Sequence, residues 1–147
     1  MELDNQQERL IGIGYLAGII DGEGSVVLSK SSKRKNGKYN LHPYISITMH
    51  SLATLERVSE ILKSLDVGHY IYHKSNGYHL LQSGGYKRLN SLLPKVIPFL
   101  VEKQERAMIL YEYVCRRKDM KKNTPYTMDD ENTFMRMKEL NTKPKYR

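Results

Sequence analysis

The sequence predicts an α+β fold of order αββαββα, with a four-stranded antiparallel sheet covered by helices on one face. Three observations predict it. Leu10, Ile13, Ala17 and Ile20 recur at helical spacing and run directly into Ser25-Val26-Val27-Leu28-Ser29, which reads as a strand. Residues 39–49 alternate between apolar and polar with period two. The order then repeats, with a helical pattern followed by two short strands around an Asn-Gly turn. At 147 residues the chain is one domain, with a core at about 7–118 and a C-terminal helical extension at about 127–147.

The first helix is expected from Gln7 to Asp21, with Gly22 and Gly24 ending it, because glycine enters positive φ without penalty. Ser25–Lys30 is the first strand, with Val26 and Leu28 on one side and Ser25, Val27 and Ser29 on the other. Ser31–Lys38 is a basic hairpin loop. In Tyr39–Met49, Leu41, Pro43, Ile45, Ile47 and Met49 form the apolar face, and Asn40, His42, Tyr44, Ser46 and Thr48 the polar one. Pro43 lacks an amide donor, so the strand is at an edge or irregular there. Ser51 caps a helix, Leu52–Leu65. His69–His73 and Tyr78–Ser83 form a second hairpin, whose faces the periodicity leaves open: Tyr70, Tyr72 and Lys74 compete with His69, Ile71 and His73 for the outer side. A third helix, Tyr86–Leu93, is stopped by Pro94. A fourth runs from about Glu102 to Lys118 and buries Ala107, Leu110, Tyr111 and Val114. After a basic linker, Lys118–Tyr126, Thr127 caps a last helix to about Leu140, with Asp129, Asp130 and Glu131 in its first turn, and Asn141–Arg147 is a basic tail.

Charge narrows the partners. Twenty-four Lys and Arg against 16 Asp and Glu give +8, which implies an acidic partner, most simply nucleic acid. No basic amphipathic helix with exposed large apolar residues points to a membrane surface, and the first apolar run is too short and interrupted to span one. A single cysteine, Cys115, excludes an internal disulfide and a cysteine zinc cluster, and the polar N-terminus shows no signal peptide, so an intracellular chain is expected. Gly12, Gly14 and Ala17 spell a dinucleotide-binding string, but the required preceding strand is replaced by Gln6-Gln7-Glu8-Arg9.

The polar face of the second strand carries groups that both donate and accept, as reading base edges requires. The loop cations Lys33, Arg34, Lys35 and Lys38 suit phosphates. Ser29 and Lys30 extend that surface, and Tyr70, Tyr72 and Lys74 join it if they face outward. Gly14 and Gly18, four apart with Ala17 beside them, leave a nearly bare helix stripe, and a second copy of the same helix across a two-fold axis is its simplest partner. Asp21 and Glu23 sit at the negative end of the helix dipole, where acids are unwelcome. They are either solvated acids at a glycine cap or the ligands of a metal.

Leu16-Ala17-Gly18-Ile19-Ile20-Asp21-Gly22-Glu23-Gly24-Ser25 resembles the motif of the LAGLIDADG homing endonucleases in their single-motif, homodimeric form. The resemblance implies a saddle-shaped sheet set in the major groove of double-stranded DNA, and a double-strand break made with Mg²⁺ or Mn²⁺. It implies that Glu23 binds metal, that Asp21 bonds backbone amides across the helix ends and helps hold the dimer, and that Gly22 offers its carbonyl to the metal. Lys103 falls at the spacing of a basic residue near the cleavage site; a surface lysine at a helix start is the plainer reading. The family's solvent-orienting position falls on Met49 or His50, of which only His50 could do the job. Other readings on the same fold are an intron RNA maturase and a catalytically inactive DNA-binding regulator.

Overall fold

The first helix, α1, spans Asn5–Glu23 in a computed structural model that describes residues 2–142. It starts two residues before the expected Gln7 because Asp4 caps it. The Gln7 amide donates to the Asp4 carboxylate at 2.7 Å, and the Asp4 amide donates back to the Gln7 side chain at 3.1 Å. It also runs past Asp21. Gly22 lies within the helix, and Gly24, with φ −91°, is extended. Positive φ is therefore not what glycine supplies here. A Cβ on Gly24 would sit 2.8 Å from Ile20 Cα, so the requirement is room for the strand to leave the helix tightly.

Strand β1 (Gly24–Lys30) pairs with β2 (Leu41–Met49). After α2 (Leu52–Ser64), β3 (Tyr70–His73) and β4 (His79–Gly84) complete one antiparallel sheet of order β1-β2-β4-β3. The alternation in β2 holds as expected: Leu41, Pro43, Ile45 and Ile47 are buried, and His42, Tyr44, Ser46 and Thr48 are not. Although β2 is central, its pairing with β4 begins only at Tyr44. Pro43 sits just outside it, its carbonyl accepting from the Gly85 amide at 3.0 Å, so the missing N–H falls where the strand is locally an edge.

Helix α3 (Tyr86–Val96) contains Pro94 instead of ending at it. So near the C-terminus, only one intrahelical donor is lost, and the next turn is the short 3₁₀ segment Ile97–Phe99. Helix α4 (Gln104–Arg117) buries Ala107, Leu110, Val114 and Tyr113; Tyr113 takes the place expected for Tyr111, which is only half-buried. The Tyr113 hydroxyl, 2.8 Å from that of Tyr86, is pushed far up by burial. Helix α5 (Met128–Asn141) has the expected Thr127 cap. Lys143–Arg147 of the basic tail lie outside the described residues. The apolar sides of α1, α2, α3 and α4 share one core with the inner face of the sheet, and Ala17, Ile20, Val26, Leu55 and Leu89 are fully buried there. No helix among the described residues is long and apolar enough to cross a membrane.

Candidate nucleic-acid interface and its acidic end

The outer sheet face follows from strand register. Ser25 pairs with Ser46, Ser46 with Gln82, and Gln82 with Tyr70, so one row of hydrogen-bonding side chains crosses all four strands. A second row runs Thr48, Leu80, Tyr72. This resolves the second hairpin: Tyr70 and Tyr72 face outward, while half-buried Ile71 turns to the core. His69 also turns inward, its Nε2 2.6 Å from Ser59 Oγ. Gln82 was missed as a surface residue, and Ser25, placed with Ser29 on the outer side of β1, was not counted among the contacts. For Gln82 the signal was the alternation of β4, with Leu81 and Ser83 buried, blurred by an outward Leu80. Toward the loop, the His42 and Tyr44 rings lie 5.7 Å apart. A Cβ on Gly84 would come within 3.0 Å of His42 Nε2, so this glycine makes room for them. Ser29 Oγ donates to the His42 carbonyl at 3.3 Å, and Asn40 is exposed at the strand entrance, its amide donating to Ser31 Oγ. Lys33, Arg34, Lys35, Lys38 and Lys74 are exposed in the two hairpin loops.

Lys30 does not join this face. It shares the inward parity of Val26 and Leu28, and its amine pairs with Glu131 of α5 at 3.1 Å, 4.3 Å over the Tyr39 ring and 4.6 Å over that of Phe134. The extension helix supplies the anion and ring that turn it away from the outer face.

At the other end of β1 the two acids part company. Both Asp21 oxygens are used: Val101 N–H donates to Oδ2 at 2.8 Å and Lys103 N–H to Oδ1 at 3.0 Å. Lys103 Nζ returns two bonds to the α1 C-terminus, to Ile20 O at 2.9 Å and Asp21 O at 2.7 Å. The anion meets the amides leading into α4, and the cation meets the last carbonyls of α1, so both macrodipoles are matched. The acid that looked misplaced on α1 is well placed for α4, and the amides it holds are those of its own chain. Glu23 is exposed at the end of α1, two residues before Ser25 of the outer face. Among the described residues no group of three or more His, Cys, Asp or Glu could hold a metal unaided. Met49 ends β2 half-buried. His50, one residue on, is held by the other hairpin: its Nδ1–H donates to Gly77 O at 3.3 Å and its ring stacks 3.5 Å from Tyr78.

On the outer side of α1, a Cβ at Gly14, Gly18 or Gly22 would meet nothing within 4 Å, and Ile11 (56% exposed) and Tyr15 (42%) flank them. Ala17 does not belong to that stripe. It is four residues from Ile13 and three from Ile20, on the core side of the helix, and is fully buried.

By fold this is an α+β domain of the homing-endonuclease type. The homing endonuclease I-CvuI, in complex with the I-CreI target DNA in the presence of Mg, matches with TM-score 0.66 at 16% identity, over 93% of this chain and 99% of that one. The archaeal intron-encoded I-Vdi141I, complexed with DNA, matches with TM-score 0.56 at 17% identity, over 89% and 97%. The meganuclease I-AabMI, bound to uncleaved DNA, matches with TM-score 0.63 at 18% identity over 88% of this chain but only 44% of its own. Comparison with curated proteins gave no match. A family model of the LAGLIDADG-like domain matches residues 12–122, and the chain belongs to that family.

Proposed function

We propose that this chain is a site-specific DNA endonuclease acting as a homodimer, with the outer sheet face in the major groove and one acidic centre per subunit. One observation carries the reading: the bare glycine face of α1 ends at an exposed carboxylate, Glu23, where the polar sheet face begins. A second α1 packed on that face brings two such carboxylates together, one toward each DNA strand. The neighbour I-AabMI, with more than twice this chain's matched length, fits a functional unit of two such domains.

Glu23 supplies the hard oxygen donor that Mg²⁺ or Mn²⁺ prefers, with the Gly22 carbonyl beside it, and the remaining ligands would come from the second copy, phosphate and water. When bound, such an ion lowers the pKa of water and stabilises the charge on the leaving oxygen. Asp21 positions the centre instead of ligating: its oxygens fix the Val101–Lys103 segment against the end of α1. Lys103 keeps a positive charge next to that centre while capping α1, which unites its two readings. Tyr70, Tyr72, Gln82, Ser46, Tyr44 and His42 offer donors and acceptors to base edges, and the loop cations offer charge to phosphates. Incubation with plasmid libraries carrying random sequence, with and without Mg²⁺, tests the proposal. Linearisation of a recurrent sequence only with metal is expected. Selective binding without cutting would mark a regulator, and preference for structured RNA a maturase.

A further inference from the structure

Between the β1–β2 loop and the α4–α5 linker lies a groove of about 910 Å³. We propose that it is a second phosphate-binding track, which takes the backbone of the same duplex beyond the reach of the sheet. The inference rests on the DNA-binding reading above and adds Lys121 and Lys122 to it.

Its charge has one sign. Arg34 and Lys38 stand on the loop wall, Lys121 and Lys122 on the linker wall, and no Asp or Glu lines it. Arg117 and Lys118 also line it but are paired, with Asp130 and Asp119. A solvated run of lysines needs no fixed shape, yet this wall is built. The buried Arg117 guanidinium donates to Thr124 O at 2.7 Å and Pro125 O at 3.3 Å while held by Asp130 at 2.9 Å. The Tyr126 hydroxyl accepts from the Leu41 amide at 2.8 Å, and its ring stacks 5.4 Å from that of Tyr39. The linker is thereby tied to the first residue of β2, and lysines presented from a fixed wall lose less freedom when a ligand docks.

Position identifies the occupant. His42 and Asn40 belong both to the outer sheet face and to the groove, so the two surfaces are continuous. Gly24 to Lys30 is six strand steps, so the groove lies about 20 Å from the acidic end, or about six base pairs along a duplex. It meets phosphates outside the base pairs that the sheet spans.

The test is the salt dependence of binding to a 40-base-pair random-sequence duplex, followed by fluorescence anisotropy. Lys121→Gln/Lys122→Gln should reduce the slope of log K against log[salt] by about 1.8, two released counterions at about 0.9 each. Lys121→Arg/Lys122→Arg should keep the wild-type slope. An unchanged slope in the Gln pair, with wild type binding the duplex, overturns the groove and leaves the DNA reading standing. Wild type that ignores the duplex overturns both. A 40-nucleotide single-stranded RNA bound more tightly than the duplex, with the slope loss confined to it, overturns the proposal in favour of an RNA surface.

Discussion

Replacing Asp21 by Asn isolates the clasp between α1 and α4. The carboxylate accepts two amides on two oxygens, at 2.8 and 3.0 Å. Asparagine has one acceptor oxygen, so one amide loses its partner and meets an NH₂ group instead. A hydrogen bond to a charged group is worth about 1.5–3 kcal/mol, and the half-buried position argues for the lower part of that range, about 2 kcal/mol. For a domain of this size, about 2–4 °C per kcal/mol gives a fall in melting temperature of about 4–8 °C. Lys103→Met removes the reciprocal pair of bonds and should cost a similar amount. Because each side orients the other, the double variant should lose less than the sum of the two, by about 1 kcal/mol. Calorimetry of the four proteins measures this. Asp21→Asn melting with the wild type, or strict additivity in the cycle, would refute the claim that these residues act as one structural unit.

Glu23→Gln should leave melting and duplex affinity near wild type while Mg²⁺-dependent cleavage falls by orders of magnitude, read from a cleavage time course beside a gel-shift titration. Gly18→Leu projects a side chain into space that is open in one copy, so the chain should fold but sediment as a monomer with no double-strand cleavage. His42→Ala or Gln82→Ala should change preference at particular base pairs, whereas Lys33→Gln should weaken all duplexes and lower the salt slope by about one, both measurable by binding selection. Burial alone would raise the Asp130 carboxyl, but the Thr127 amide and the Arg116 and Arg117 guanidiniums outweigh it and hold it below the ordinary carboxylate range. Its stabilisation is therefore present above the unfolded value and lost as pH falls through the lower folded one. An acid titration followed by circular dichroism should show that loss, and Asp130→Asn should remove it.

What the sequence made legible and what it hid follow from the range of each signal. The two faces of β2 were readable because period-two alternation is local and Leu41, Pro43, Ile45 and Ile47 repeat it without a break. The faces of β3 were not, because Tyr70–His73 is four residues long and only pairing with β4 decides them. Lys30, the last residue of the first strand, read as part of the outer surface, although strand parity sets it with Val26 and Leu28 and α5, a hundred residues away, supplies Glu131 to hold it there. Ala17 read both in the apolar stripe with Ile13 and Ile20 and beside the glycines, and only its full burial against the core decides between the two. At the acidic end, sequence pointed to Asp21, Glu23 and Lys103 as the odd residues. It could not divide the clasp from the exposed carboxylate, since the amides of Val101 and Lys103 are long-range partners.

The row Ser25, Ser46, Gln82, Tyr70 has a consequence for how this protein can vary. Each of its side chains alternates with core neighbours such as Val26, Ile45, Ile47 and Leu81, so contact chemistry and folding energy are carried by opposite faces of the same strands. Substitutions on surfaces away from caps and buried networks usually change stability by less than about 0.5 kcal/mol. The outer rows can therefore drift, one position at a time, toward a different ligand surface while the scaffold beneath them stays intact.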